Sequence, residues 1–178
     1  IVSANFFGLA DKGKILTRTG TKINDEIWIS GNIGESTIGL KIKQKKIKIN
    51  NYYKKYFIDK YLYPTHSLLG EKIINYATSA IDISDGFFGD LSKLIKHNDY
   101  GASIVTNCIP FSNKAKHLIK KRKININTLL SSGDDYQLIF TANSKNSSII
   151  KRICMKNNIK ISNIGKIIRK KGIYLDNK

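Results

Sequence analysis

The sequence predicts an α+β protein in which one mixed β-sheet is flanked by helices, and two observations lead to this class. Short segments in which apolar and polar residues alternate recur between longer segments whose apolar residues follow the spacing of a helix. Each predicted strand is also apolar on at least one face, so a second layer has to cover it. The clearest strand is 26–30 (EIWIS), which ends at Gly31.

The first part of the chain combines extended segments with helices. Residues 1–9 and 13–18 are predicted to be extended, with the polar link ADKGK forming a turn between them. After the first strand, a glycine-rich turn leads into a helix within 31–46, and Pro64 ends a second helix. A third helix is predicted within 65–78, where apolar residues fall on or near one helical face.

The rest of the chain alternates between strands and helices, which predicts helices packed on a sheet. A short apolar strand over 79–83 precedes a helix over 87–97, whose apolar residues recur at helical spacing. The segments that follow are a strand over 101–107, short helices over 112–123 and 125–133, a strand over 136–143, a helix over 145–157, and strands over 161–168 and 172–175.

The composition is that of a folded globular protein. Hydrophobic residues make up 41% of the 178 residues, so enough apolar surface is available to offset the entropy of ordering the chain. No apolar run reaches the ~18 residues that a bilayer requires, which predicts a cytoplasmic protein without a membrane partner. Two cysteines and three histidines stand apart in the sequence and predict neither a disulfide scaffold nor a zinc site: Cys108, Cys154, His66, His97 and His117.

The net charge of +18, from 31 Lys and Arg against 13 Asp and Glu, is large enough to suit a nucleic-acid-binding protein. Lysine is spread along the whole chain, however, and the densest runs, 41–48 and 120–123, lack the interleaved aromatic and glycine residues that stack bases. The pattern therefore favours a solvated basic surface, and makes nucleic acid an unlikely partner. A basic nucleic-acid-binding module is kept as a less favoured alternative.

Scarce acidic residues gather in residues 80–91 (AIDISDGFFGDL), which contain Asp82, Ser84, Asp85 and Asp90. A strand, a tight turn and a helix would place Asp82 at the end of the strand and the next two at the helix entrance, where ligands of α/β sheets bind. A helix N-terminus suits phosphate and nearby carboxylates suit a hard cation such as magnesium. The segment therefore predicts a site for a metal nucleotide.

A purely structural role explains part of the same segment. Ser84 or Asp85 would cap the helix, Gly86 would relieve the turn, and Asp90 would complement the helix dipole. This explanation leaves out Asp82, an acid between two isoleucines at the end of an otherwise apolar strand. Both explanations stay open from these residues alone.

A second acidic cluster lies in residues 129–140 (LLSSGDDYQLIF). Asp134 and Asp135 follow Gly133 directly before a predicted strand, so this loop could offer two carboxylates and several backbone amides. Glycine and aspartate are also ordinary turn residues, and a solvated turn is the simpler interpretation when the segment is taken by itself.

These segments together resemble one known family. AIDISDG followed by GDL, then GASI, IPFS and LLSSGDDYQLIFT, is similar to the C-terminal part of the thiamine-monophosphate kinases, whose pattern is approximately IDISDGL..DL, GA, PLS and SGGEDYELLFT. Upstream, LTRTGTKINDEIWISGNIGESTIGL resembles that family's LxRSGAKPGDxIYVTGxxGDSAAGL. The wider aminoimidazole ribonucleotide synthetase-like superfamily has loops that resemble DITGGG or TDVTGFG, so the SDG and GDDYQL loops favour the kinase branch.

The resemblance implies a reaction and a role for five residues. The reaction would transfer the γ-phosphoryl group of ATP to thiamine monophosphate, with magnesium as cofactor, giving thiamine diphosphate and ADP. By motif, two residues would bind magnesium, two would bind nucleotide and one would bind thiamine monophosphate, while none is assigned as a catalytic acid, base or nucleophile. These are, in that order, Asp82 and Asp85, Ser84 and Arg18, and Asp134.

The resemblance also implies a domain organisation. Residues 1–25 would be the end of an N-terminal domain and a linker, and 26–178 would be a C-terminal α+β domain like that of the superfamily. The N-terminal domain with most of the magnesium ligands, and a terminal aromatic residue expected to stack on the substrate, have no counterpart in the sequence. The full-length family is expected to form homodimers, and this chain is expected to be active only with the N-terminal domain.

Several residues depart from the family's pattern. In the second acidic loop Ser132 replaces Gly, Asp134 replaces Glu and Gln137 replaces Glu, while TKIND after Arg18 lacks the Pro and Gly of AKPGD. Aspartate keeps the charge of glutamate on a side chain one methylene shorter. These changes support a second hypothesis, in which the chain is a folded but inactive remnant of a split or decaying gene.

Overall fold

Six strands and seven α-helices form the fold in a computed structural model, which describes residues 3–5, 7–11, 13–65 and 68–176. The strands are β1 (Glu26–Ser30), β2 (Ala77–Asp82), β3 (Gly101–Val105), β4 (Leu138–Ala142), β5 (Ile161–Ile168) and β6 (Gly172–Asp176). The helices are α1 (Glu35–Lys43), α2 (Asn51–Leu62), α3 (Leu69–Ile73), α4 (Phe87–Lys96), α5 (Asn113–Lys120), α6 (Ile126–Ser131) and α7 (Ser147–Lys156).

The strands form one mixed sheet in the order β2-β4-β1-β5-β3-β6. Neighbouring strands are antiparallel except β3 and β6, which run parallel. The strand β2 ends at Asp82, which lies opposite Leu138 at the start of β4. The chain segments that follow β2 and precede β4 therefore meet at the same end of the sheet.

Alternation along β1 explains why helices cover both faces of this sheet. Ile27 and Ile29 are fully buried in a core cluster that also contains residues of α1, α2, α4, α5 and α6. Trp28 points into a second cluster with residues of α3 and α7, where its ring stacks on Phe140 at a centroid distance of 6.2 Å. Successive strand residues face opposite sides, so one apolar strand needs two covering layers. The predicted α+β class with a mixed sheet flanked by helices is confirmed.

Most of the predicted elements are present within a few residues of their expected bounds, and β1 has the bounds that were predicted. The helix predicted within 65–78 is shorter, because α3 ends at Ile73 and residues from Ala77 onward pair with β4. The strand β2 correspondingly begins at Ala77 and ends at Asp82.

The segment 13–18, which was expected to be extended, contacts the sheet without being one of its strands. Its residues have no strand conformation, but the carbonyl oxygen of Thr17 accepts a hydrogen bond of 2.9 Å from the amide of Ala80 in β2. A Cβ atom at Gly20 would lie 1.9 Å from the carbonyl oxygen of Thr78, so the chain runs close along this outer edge. Residues 3–5 and 7–9 are likewise without strand structure.

Among the described residues, no helix combines the length and the apolar character needed to cross a membrane. The histidine at 66 lies outside the described residues, and His97 and His117 are exposed.

Candidate functional site

Two acidic segments lie against each other at the end of β2: the Asp82 loop (82–86) and the Asp134 loop (131–136). The amide of Asp134 donates to the carbonyl oxygen of Ser84 at 3.1 Å, and the amide of Tyr136 donates to the carbonyl oxygen of Ile83 at 2.9 Å. The amide of Ile83 in turn donates to the carbonyl oxygen of Gln137 at 2.7 Å. Because these bonds join backbone to backbone, the two loops form one unit.

Glycines allow this close approach. A Cβ atom at Gly133 would lie 1.8 Å from the carbonyl oxygen of Ser84, far inside any tolerated contact. Gly86 has a φ of +114°, and a Cβ atom there would lie 2.9 Å from the carbonyl carbon of Ser131. Each loop therefore has a glycine where the other loop's backbone passes.

Asp90 determines the shape of the Asp82 loop. Its side chain is buried, and its Oδ2 accepts hydrogen bonds from the amides of Ser84, Asp85 and Gly86 at 3.0, 2.9 and 3.2 Å. A carboxylate that accepts several amide bonds is a strong, charge-assisted acceptor. The loop is thus built around a buried acid from the first turn of α4.

This arrangement corrects one expectation. Gly86 is the N-cap of α4 and no side chain caps the helix, so the interpretation of Ser84 or Asp85 as a cap was wrong. The amides of Ser84, Asp85 and Gly86 donate to Asp90, so they are not available to an anion. Any phosphate contact in this loop must use the Ser84 side chain or other groups.

Three carboxylates remain exposed around the joined loops: those of Asp82, Asp85 and Asp134. The Tyr136 hydroxyl lies 3.4 Å from Asp134 Oδ1, and the negative charge of Asp134 is the main cause that raises the pKa of Tyr136. The charge of Asp82 also contributes to raising the pKa of Tyr136. Within 3–5, 7–11, 13–65 and 68–176, no three His, Cys, Asp or Glu side chains are grouped as a metal site.

Lys93 was not singled out from the sequence, yet its ammonium lies between two acids of this site. Its Nζ donates to Asp90 Oδ1 at 2.8 Å and also to Asp85 Oδ2. Hydrogen bonds to Asp85 and then Asp90 raise the pKa of the Lys93 ammonium above its ordinary value. The spacing of three between Asp90 and Lys93 on a predicted helix is the signal that could have indicated this pair.

Asp135 does not offer the second exposed carboxylate that the loop was thought able to supply. Its side chain is buried and caps α1 from across the fold: Oδ2 accepts from the amide of Gly34 at 2.6 Å, and Oδ1 from the amide of Ser36 at 3.2 Å. Burial raises the pKa of Asp135 to about 7, against amide hydrogen bonds that lower it. The capping acid lies 101 positions from Gly34, so local sequence patterns gave no indication of it.

The raised pKa of Asp135 predicts a pH dependence of stability. Because the folded-state pKa of about 7 lies above the ordinary 3.8, this group's contribution to the free energy of unfolding is complete below pH 3.8 and is lost as pH rises through 7. Asp135→Asn keeps an oxygen for the amides but cannot titrate, so the variant should lose less stability across this range. Urea unfolding of both proteins at a series of pH values checks this. Parallel stability curves between pH 4 and 7 would contradict it.

Arg18 is exposed and lies beside the outer edge of β2, next to Thr17, which is bonded to Ala80. Two residues of strand, about 7 Å, separate Ala80 from Asp82. The structure thus places Arg18 beside the edge strand that leads into the Asp82 loop. The predicted site residues that it brings into one unit are Asp82, Ser84, Asp85 and Asp134.

Comparison with solved structures identifies the class of fold. The chain superposes on thiamine-monophosphate kinase from Stenotrophomonas maltophilia K279a with a TM-score of 0.83 over 94% of this chain and 54% of that one, at 24% identity. The mixed sheet flanked by helices is that of the aminoimidazole ribonucleotide synthetase-like fold. No known family profile matches the chain.

Sequence comparison identifies the relatives. Thiamine-monophosphate kinase of Buchnera aphidicola subsp. Schizaphis graminum is 38% identical over 183 residues, covering 98% of this chain and 54% of the relative. The structure of AaThiL complexed with AMPPCP and TMP is 27% identical with a TM-score of 0.77, over 92% of this chain and 51% of that one. This chain is a homologue of the thiamine-monophosphate kinases and spans about half the length of the curated relatives it matches.

Proposed function

We propose that this chain supplies part of the nucleotide- and substrate-binding site of a thiamine-monophosphate kinase. The reaction would transfer the γ-phosphoryl group of ATP to the phosphate of thiamine monophosphate. One observation carries the proposal: backbone hydrogen bonds join the Asp82 loop to the Asp134 loop, so residues assigned to metal, nucleotide and substrate share one edge of the sheet. Transfer between two phosphates needs aligned groups and screened charge more than covalent chemistry by the protein.

Asp82 and Asp85 suit magnesium, and they would provide only part of its coordination. Both carboxylates are exposed, and carboxylate oxygen is the ligand type that this cation prefers. The ammonium of Lys93 on Asp85 indicates that the loop attracts a cation. Magnesium would screen the phosphate charges when bound, and its other ligands would come from the N-terminal domain that the sequence resemblance implies.

Ser84 and Arg18 would hold the nucleotide. The Ser84 backbone is fixed on both sides, by Asp90 at its amide and by the Asp134 amide at its carbonyl, which leaves the hydroxyl as its free phosphate-binding group. Arg18 would add a guanidinium from the neighbouring chain segment. A guanidinium binds phosphate through two parallel hydrogen bonds, which fixes orientation as well as charge.

Asp134 would bind thiamine monophosphate. It has a φ of +65°, and its amide is bonded to the Asp82 loop, so its side chain is displayed from a fixed backbone. Tyr136 lies beside it and carries the hydroxyl that reaches Asp134. Cytoplasmic location and homodimer formation of the whole protein are proposed from the family resemblance alone.

The metal assignment is tested by nucleotide binding to Asp82→Asn. We expect magnesium-dependent binding of a nonhydrolysable ATP analogue to weaken about tenfold, because one metal ligand loses its charge. Titration calorimetry of the chain, with and without an N-terminal domain supplied from a relative, measures this. Asp99→Asn is the matched control, since Asp99 is an exposed acid paired with Lys171 outside both loops. Equal affinities for wild type and Asp82→Asn would contradict the assignment.

A further inference from the structure

Lys93 contacts two carboxylates of the loop that is proposed to bind the metal. Its ammonium touches Asp85 Oδ2 and lies 2.8 Å from Asp90 Oδ1, so one cation bridges two carboxylates. The Asp90 side chain is 1% exposed, while that of Asp85 is 68% exposed. Lys93 therefore joins a buried carboxylate, that of Asp90, to a solvent-exposed one, that of Asp85.

The Asp90 carboxylate is held in place independently of Lys93. The other oxygen of Asp90 accepts three amide hydrogen bonds from the Asp82 loop, so this carboxylate stays in place whatever Lys93 does. Within the described part of the chain, no amide donates to the Asp85 carboxylate. The hydrogen bond from Asp85 to Asp90 is donated by the backbone amide of Asp85. In the free chain, the ammonium is the group that holds the Asp85 carboxylate.

A metal ion on Asp85 and the ammonium of Lys93 would compete for the same carboxylate. Two cations on one carboxylate repel each other, so metal binding favours departure of the ammonium from Asp85. The Lys93–Asp85 pair is largely exposed. Exposed ion pairs are weak, so replacing the ammonium by the metal costs little free energy. After the exchange, Lys93 would still contact Asp90, and its ammonium would be available to the phosphates of a nucleotide bound through the metal.

We propose that Lys93 is a positioning residue that takes the place of the metal on Asp85 and moves to the nucleotide phosphates when metal nucleotide binds. The inference rests on the proposed function, because it takes Asp85 as a metal ligand. It assigns Lys93 two effects of opposite sign. The lysine weakens binding of metal alone by competition, and it strengthens binding of metal nucleotide by contact with phosphate.

The test uses Lys93→Gln and follows the amide NMR signals of Ser84, Asp85 and Gly86 in the 178-residue chain. Manganese, a paramagnetic substitute for magnesium, broadens the signals of nearby amides, and titration gives its affinity at this loop. We expect Lys93→Gln to bind manganese alone about threefold more tightly, as loss of a weak exposed competitor predicts. With an N-terminal domain supplied from a relative, we expect the same variant to bind magnesium with a nonhydrolysable ATP analogue about threefold more weakly.

Two control variants separate this role from a structural one. Lys93→Arg keeps a cation between the two acids and should behave like wild type in both titrations. Lys96→Gln removes the same charge from the last turn of the same helix and should also leave both affinities unchanged. Circular dichroism checks that each variant folds.

The outcomes distinguish the inference from the proposed function. Equal manganese affinity in wild type and Lys93→Gln, or tighter binding of the magnesium nucleotide by Lys93→Gln, would overturn the role of Lys93 alone. No broadening of the Asp82 loop in either protein, with folded chains, would overturn both the metal assignment and the role built on it.

Discussion

Gly133→Ala is expected to lower the free energy of unfolding by about 3 kcal/mol and to abolish detectable binding of metal nucleotide. The added Cβ atom would lie 1.8 Å from the carbonyl oxygen of Ser84 and 3.0 Å from the carbonyl carbon of Asp85. Both are backbone atoms, so no side-chain rotation can relieve the overlap. The Asp134 loop would have to move away, breaking the bond from the Asp134 amide to Ser84.

The same site offers a control for this variant. A Cβ atom at Gly89, in the first turn of α4, would meet only the Cβ of Asp85 at 3.8 Å, an ordinary contact. Gly89→Ala should therefore be neutral or stabilising by up to about 1 kcal/mol, because alanine favours the helix. Urea unfolding and titration with a nonhydrolysable ATP analogue measure both effects. A Gly133→Ala variant with wild-type stability and nucleotide affinity would show that the two loops need not touch.

The spacing of apolar residues in the sequence was sufficient to predict most of the strands and helices. In β1, Ile27 and Ile29 alternate with Trp28, and that pattern is what a strand between two apolar layers requires. The helix α4 has its buried residues at helical spacing, and the structure confirms it within one residue of the predicted end. These elements were predictable because each is specified by residues next to one another in sequence.

The contact of 13–18 with β2 was not predicted, because periodicity does not decide whether an extended segment is paired. Residues 13–18 contain apolar residues, but the structure gives them one backbone bond to β2 through Thr17 instead of a ladder. Gly20 marks the close approach to Thr78, and nothing in the local pattern indicated which strand the segment would meet.

The two acidic loops were identifiable from the sequence, but their arrangement was not. Both acidic loops were identified as candidates from the sequence, and antiparallel pairing of β2 with β4 is what places them together. Which acids are available for ligands depends on tertiary contacts: Asp135 caps α1, Asp90 binds loop amides, and Asp134 stays exposed. The sequence pattern does not distinguish these aspartates, whereas their burial in the structure does.

One departure from the family pattern also has a structural explanation. Gln137 accepts a hydrogen bond from the Ser30 hydroxyl at 2.9 Å, and a Cβ atom at Gly31 would lie 2.3 Å from the Gln137 side-chain oxygen. The side chain thus connects the end of β1 to the start of β4. A neutral amide can make this contact without placing another charge beside the buried Asp135.

Formation of thiamine diphosphate is the measurement that tests the central claim most directly. The chain alone should give no ATP-dependent product, because the proposed site needs metal and nucleotide ligands from an N-terminal domain. Adding a polypeptide that covers that domain of a relative should produce thiamine diphosphate, and Asp134→Ala should reduce the yield through a weaker affinity for thiamine monophosphate. A folded chain that stays inactive in the presence of a competent N-terminal domain would contradict the account and favour an inactive remnant. Product formation by the chain alone would contradict the proposed division of the site.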